Sequence, residues 1–141
     1  YRMDEIRAAI GSVQLSKLDN SNLKRQKNYN HYVKLLENSD VHIPFLNENS
    51  NATFSYHIMP ILLPENINRK EVVDFLKKDG IQSSMHYPPF WDFSSYKNVF
   101  NPQDTPITEI ICRRQLTLPL YPDMQFEEIE IVVNSLKKAI N

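Results

Sequence analysis

Only two glycines occur in this chain, Gly11 and Gly80, so it has no glycine-rich loop able to cradle a phosphate. Its single cysteine, Cys112, excludes an internal disulfide and fits a reducing compartment. Set in the apolar stretch ITEIIC, it reads as a buried, inert thiol. A net charge of -1 gives no electrostatic footprint for nucleic acid or an anionic membrane, because both require clustered positive charge. Lys24, Arg25 and Lys27 form the one notable basic run, and it reads as a solvated helix face rather than a phosphate site. No apolar run approaches the ~20 residues of a membrane span, and no secretion-signal pattern is visible. His31, His42, His57 and His86 show no metal-ligand spacing, Cys112 has no near partner of the zinc type, and no serine stands in a nucleophile elbow. Glu127, Glu128 and Glu130 complement the dipole of a helix start rather than forming a paired acid and base.

With 141 residues, 41% of them hydrophobic, the chain can bury one core. It opens on YRMDEIRAAIGSVQLSKL, an amphipathic helix already under way, with Ile6, Ile10, Val13 and Leu18 at helical spacing and no initiator Met. The expectation is a piece of a longer protein. That helix continues to about Glu37 on Tyr29, Tyr32, Val33 and Leu36, with a possible kink at Asn20, Ser21 and Asn22. A connector rich in Asn and Ser from Asn47 to Asn51 leads to a strand over Ser55 to Leu63, in which Pro60 implies an edge or a bulge and His57 a packed strand residue. Asn68 and Glu71 form a capping box for a helix from about Arg69 to Asp79, with Val72, Phe75 and Leu76 as its buried stripe and Gly80 at its end. That helix is expected to pack on a sheet containing a strand from Ile81 to Tyr87. A long loop dense in proline and aromatic residues follows, then a short helix opened by Thr105 and Pro106, a strand QLTLPL, a turn YPDM and a closing helix from Glu127 to Ile140. Gln125 is a weak cap, so this last helix relies on Asp123 or on its acidic first turn. The order predicts an α+β fold, a sheet of three or four strands with helices packed against it and a long N-terminal helix.

Four segments taken together, YRMDEIRAAIGSVQLSKLD, SYHIMPILLPE, IQSSMHYPPF and RRQLTLPLYPDM before a closing helix, resemble the C-terminal part of the DegT/DnrJ/EryC1/StrS family. These are pyridoxal-phosphate (PLP) sugar aminotransferases of the aspartate aminotransferase fold, also called PLP fold type I. The resemblance implies that residues 1–141 form the single small C-terminal domain, without the large domain that bears the PLP lysine. It implies transfer of an amino group, usually from glutamate, to a nucleotide-linked keto sugar, in a cytoplasmic homodimer serving surface polysaccharide or glycoconjugate synthesis. Lys17, Lys24, Lys70, Lys77 and Lys97 lie on helix faces or in loops, none in the family's lysine context, so the chain alone is expected to be catalytically silent and to hold no PLP specifically. The alternative from another class is a non-catalytic α+β binding or regulatory module derived from this domain.

What the resemblance leaves to this chain is a pocket wall. Tyr1 and Arg2 match the family's Tyr-Arg segment near the cofactor phosphate and substrate, and a guanidinium suits bidentate phosphate contact; the alternative for Arg2 is a frayed terminus. His86 and Tyr87 match the His-Tyr-Pro segment near the nucleotide sugar, where imidazole and phenol offer directional hydrogen bonds and two prolines stiffen their presentation. For His86 the alternative is simple packing. Trp91 stands where many members have His. Phe90, Trp91, Phe93, Tyr96 and Phe100 offer apolar walls or base stacking, the alternative being burial beneath their own loop.

Overall fold

The computed structural model of the chain describes residues 2–46, 53–96 and 99–141. Tyr1, Lys97 and the stretch from Asn47 to Asn51 lie outside the described residues. Helix α1 (Glu5–Leu36) is followed by strand β1 (Met59–Leu62), helix α2 (Arg69–Lys78), short 3-10 turns at Phe90–Asp92, Ser94–Tyr96 and Pro102–Asp104, helix α3 (Pro106–Arg114), strand β2 (Gln115–Leu118) and helix α4 (Phe126–Ile140). No helix among the described residues is long and apolar enough to cross a membrane.

Asp4 caps α1 by accepting the Arg7 N–H at 2.8 Å, and the helix then runs unbroken for 32 residues. The one long helix expected is thus observed, with no break at Asn20 to Asn22, where the Asn22 side-chain Oδ1 accepts the Arg25 guanidinium instead of competing for backbone groups. The two halves of α1 have different surroundings. In the second half Tyr32 and Leu36 are fully buried, and Asn28 donates from Nδ2 to the carbonyls of Tyr121 and Met124 at 3.0 and 3.2 Å. The Tyr32 hydroxyl donates to the Pro119 carbonyl at 2.9 Å, which ties α1 to the loop before α4. In the first half Ile6, Ile10 and Val13 are 75%, 57% and 52% exposed. At about 100° per residue these three share an arc of roughly 60°, but Leu18 falls well outside it. The expected four-residue stripe is therefore a three-residue one, with Leu15, Leu18 and Leu23 exposed on other faces.

Burial pushes the Tyr32 phenol above its ordinary value, so the folded chain keeps it protonated where an unfolded chain would ionise. A raised folded-state value contributes stability that is present below about pH 10 and lost as pH climbs past it. Tyr32→Phe is accordingly expected to cost about 1 kcal/mol at neutral pH and to flatten the alkaline decline, measured by denaturant midpoints at both pH values. An unchanged neutral midpoint would show the Pro119 bond to be idle.

The sheet has two antiparallel strands, with Met59 opposite Leu118, Pro60 opposite Thr117, Ile61 opposite Leu116 and Leu62 opposite Gln115. Pro60 fits this register because antiparallel pairs alternate between bonded and non-bonded. Thr117 turns its own N–H and carbonyl away from β1, to the carbonyl and N–H of Ser84 at 2.8 and 3.1 Å, so no donor is needed from Pro60. Single bridges flank the pair, His42 with Leu62 on one side and Ser84 with Thr117 on the other. The expected third strand from Ile81 to Tyr87 is thus reduced to one bridge. Pro88 and Pro89 lack the N–H groups a ladder would need beyond it, and the Tyr87 carbonyl is taken by the Gln115 side chain at 2.6 Å. His57, expected in β1, lies before it and is exposed.

Helix α2 stops as its sequence dictates. Gly80 at φ 76° places its N–H on the Lys77 carbonyl and the Ile81 N–H on the Leu76 carbonyl, the Schellman pattern, with Ile81 and Leu76 both buried. At its start Asn68 accepts the Lys70 N–H at 3.0 Å, while Glu71 accepts the Asn68 side-chain amide at 3.1 Å rather than its backbone N–H, so the expected reciprocal capping box is not formed. Val72 and Leu76 are buried, but Phe75 is 36% exposed. The helix packs chiefly on α4, as does α1, so α4 with its buried Ile129, Val132, Val133 and Leu136 is the centre of the core rather than the sheet alone. At the start of α4 the Gln125 N–H donates to Glu128 at 2.7 Å. Asp123 is instead held by Lys24 at 2.6 Å, so the helix start rests on a capping box between Gln125 and Glu128 and on its acidic first turn. Thr105 begins α3 without a side-chain cap bond.

Candidate ligand-contact site

The segment Ser84 to Tyr87 is laid along the free side of β2 by four attachments. Two are the Ser84–Thr117 backbone bonds and the third is the Gln115 amide on the Tyr87 carbonyl. The fourth joins side chains: His86 Nδ1 lies 3.0 Å from Thr117 Oγ1, with Ser84 Oγ at 3.5 Å. Strand geometry explains why β2 can do this, since Gln115 and Thr117 share one face while Leu116 and Leu118 enter the core. His86 is half-buried, and its ring meets that of Tyr87 edge-on at 5.1 Å. Tyr87 is 73% exposed, so its phenol is free to meet a ligand.

The aromatic loop divides by role. Trp91 is buried, stacked on Phe100 at 5.0 Å and 15°, and Phe90 packs against Trp91, Tyr96 and Phe100. Phe93 and Tyr96 are about half exposed. Burial beneath the loop thus accounts for Trp91, while Phe93 and Tyr96 keep open surface. Arg2 is exposed and makes no hydrogen bond or ion pair among the described residues, so it is not brought to His86 within this chain. Tyr1 lies outside the described residues. Cys112 is half-buried rather than buried, and Ile107, Ile110 and Ile111 around it are exposed on α3. Burial, with Glu109 nearby, still pushes its thiol above the ordinary value, which disfavours the thiolate.

Thr117 and Gln115, the residues that fix His86 and Tyr87, are not among the candidates the sequence singles out, nor is Asn28. The signal for the first two was present in QLTLPL, where polar and apolar residues alternate with the period of a strand. The basic run also proved structural in part: Lys24 pairs with Asp123, and Arg25 donates to the Ser55 carbonyl at 3.2 Å as well as to Asn22. No group of three or more His, Cys, Asp or Glu able to hold a metal occurs among the described residues. A hollow of about 450 Å³ beside Ser83, Ser84 and Met85 is edged by Arg69, Lys70 and Arg113. Two of these are committed, Arg69 to the Cys112 and Gln115 carbonyls and Arg113 to Glu109.

Together these features define a small α+β domain that presents hydrogen-bonding side chains from the edge of a short antiparallel pair. The DegT/DnrJ/EryC1/StrS aminotransferase family model matches residues 1–137, and the chain belongs to that family. It is 30% identical to a dTDP-3-amino-3,6-dideoxy-alpha-D-galactopyranose transaminase of Aneurinibacillus thermoaerophilus, over 97% of this chain and 36% of that protein. It is 25% identical to the UDP-4-amino-4,6-dideoxy-N-acetyl-beta-L-altrosamine transaminase of Helicobacter pylori, over 99% of this chain and 37% of that protein. Among solved structures, a sugar aminotransferase of Streptococcus pneumoniae in its PMP form superposes with a TM-score of 0.86 at 25% identity, covering 98% of this chain and 35% of the other. The chain spans 36–38% of the length of the curated relatives it matches.

Proposed function

We propose that this chain is the C-terminal domain of a PLP-dependent aminotransferase that moves an amino group, from glutamate, to a nucleotide-linked keto sugar for surface polysaccharide or glycoconjugate synthesis. The observation that carries the reading is the family match over residues 1–137 together with relatives named as nucleotide-sugar transaminases. A cytoplasmic homodimer, with nucleotide sugar and amino-acid donor as its small-molecule partners, belongs to the same proposal. Bound PLP supplies the electron sink of amino transfer. The described residues do not by themselves fit that group. Every described lysine is exposed except the half-buried Lys137, Gly11 is inside α1, and Gly80 ends α2, so neither a buried amine nor a phosphate loop is available. The domain's share of the work is therefore recognition: His86 and Tyr87 offer hydrogen bonds to the sugar nucleotide, and Phe93 and Tyr96 in the loop that follows offer exposed apolar surface. The exposed Ile6, Ile10 and Val13 fit a helix face covered by the large domain or a second subunit.

The lack of a fitting lysine equally suits a non-catalytic module, and one experiment separates the two. The intact gene product, purified with PLP, is expected to lose its cofactor absorbance as the aldehyde on adding glutamate and to regain it on adding a nucleotide-linked keto sugar. A gene product with no PLP lysine and no such cycle would establish the module reading.

A further inference from the structure

We propose that Thr117 is the positioning residue of the site, holding His86 in the tautomer whose Nε2–H faces outward. The inference rests on the reading of His86 as a ligand contact only for its consequence; the tautomer itself follows from the hydrogen-bond network. Thr117 is 6% exposed, and its backbone N–H and carbonyl are both spent on Ser84. Its hydroxyl has one proton and, among the described residues, one hydrogen-bonding partner, His86 Nδ1 at 3.0 Å. Were Nδ1 protonated, it would donate to Oγ1 and strand the hydroxyl proton in a buried place without an acceptor. With the hydroxyl donating to Nδ1, both groups are satisfied and the neutral ring must carry its proton on Nε2.

His86 Nε2 makes no hydrogen bond within the described residues. In that tautomer the ring shows an N–H donor to the outside, matched to an acceptor such as a pyrophosphate oxygen or a sugar carbonyl or hydroxyl oxygen. The ring is further steadied from both sides, by the Ser84–Thr117 backbone pair before it and by Gln115 on the Tyr87 carbonyl after it.

Nitrogen-15 NMR of the 141-residue chain, at a pH above the ordinary imidazole range, reads the tautomer directly. The wild-type ring is expected to show Nε2 protonated and Nδ1 unprotonated. Thr117→Val, which keeps the shape and removes the hydroxyl, is expected to populate both tautomers, and Thr117→Ser to restore the single one. A wild-type ring protonated on Nδ1, or a Thr117→Val ring with unchanged nitrogen shifts, would overturn the assignment. In the intact enzyme Thr117→Val is expected to raise KM for the nucleotide sugar roughly fivefold, with the donor half-reaction unmoved. If the NMR result holds and KM does not move, the tautomer stands and the ligand role of His86 fails.

Discussion

Incubated with PLP and reduced with borohydride, the 141-residue chain is expected to carry scattered, substoichiometric lysine adducts and to transfer no amino group. Specific capture needs an amine that is deprotonated while other groups clamp the phosphate and the pyridinium. All described lysines but the half-buried Lys137 stand on the outside: Lys17, Lys27 and Lys34 on α1, Lys70, Lys77 and Lys78 on α2, Lys138 on α4. Lys24 is occupied by Asp123. Amines in water are almost wholly protonated at neutral pH and attack an aldehyde slowly and without preference. Mass spectrometry of the reduced protein locates the label, and one lysine modified stoichiometrically with measurable amino transfer would overturn the assignment of catalysis to residues beyond this chain.

Leu76→Ala is expected to destabilise the chain by about 2–5 kcal/mol, and Phe75→Ala by about 1 kcal/mol. Leu76 is fully buried where α2 meets α4, and its carbonyl also receives the Ile81 N–H of the helix stop. Truncation there opens a cavity in the core it shares with Ile129, Val133 and Leu136 of α4, which a helix locked at Gly80 cannot easily collapse to fill. Phe75, one residue earlier, is 36% exposed and loses only part of its contacts. Thermal melts of the two variants measure the contrast, and equal shifts would mean that α2 is seated differently.

That neighbouring pair shows how far the sequence could be read. The capped start at Asn68, the glycine stop at Gly80 and the closing helix were legible because their signals are local: a side chain reaching its own backbone, or a φ that only glycine adopts cheaply. The extent of burial across α2 was not, because the three apolar positions are equivalent in sequence and only the placement of α4 distinguishes them. The segment Ile81 to Tyr87 has strand composition, but its ladder partner is a single residue of β2 and two prolines follow, so beyond that one backbone bridge it is held by the side chains of His86 and Gln115. The same long-range logic governs Asp123, a plausible cap by position that Lys24 claims from 99 residues away. In the site, His86 and Tyr87 stand out through the family resemblance, whereas QLTLPL shows Gln115 and Thr117 only as the polar face of a strand, and their roles follow from β2 lying beside the His86 segment. Arg2 makes no side-chain contact of this kind among the described residues.

The most direct test of the account is single-turnover absorbance on the intact enzyme carrying His86→Ala. The donor half-reaction with glutamate is expected to keep its rate within about twofold, while turnover of the nucleotide-linked keto sugar falls by about 10-fold or more, the loss expected when a directional hydrogen bond to one substrate alone is removed. Equal losses in the two half-reactions, or none in either, would contradict the placement of the nucleotide sugar against this edge of the domain.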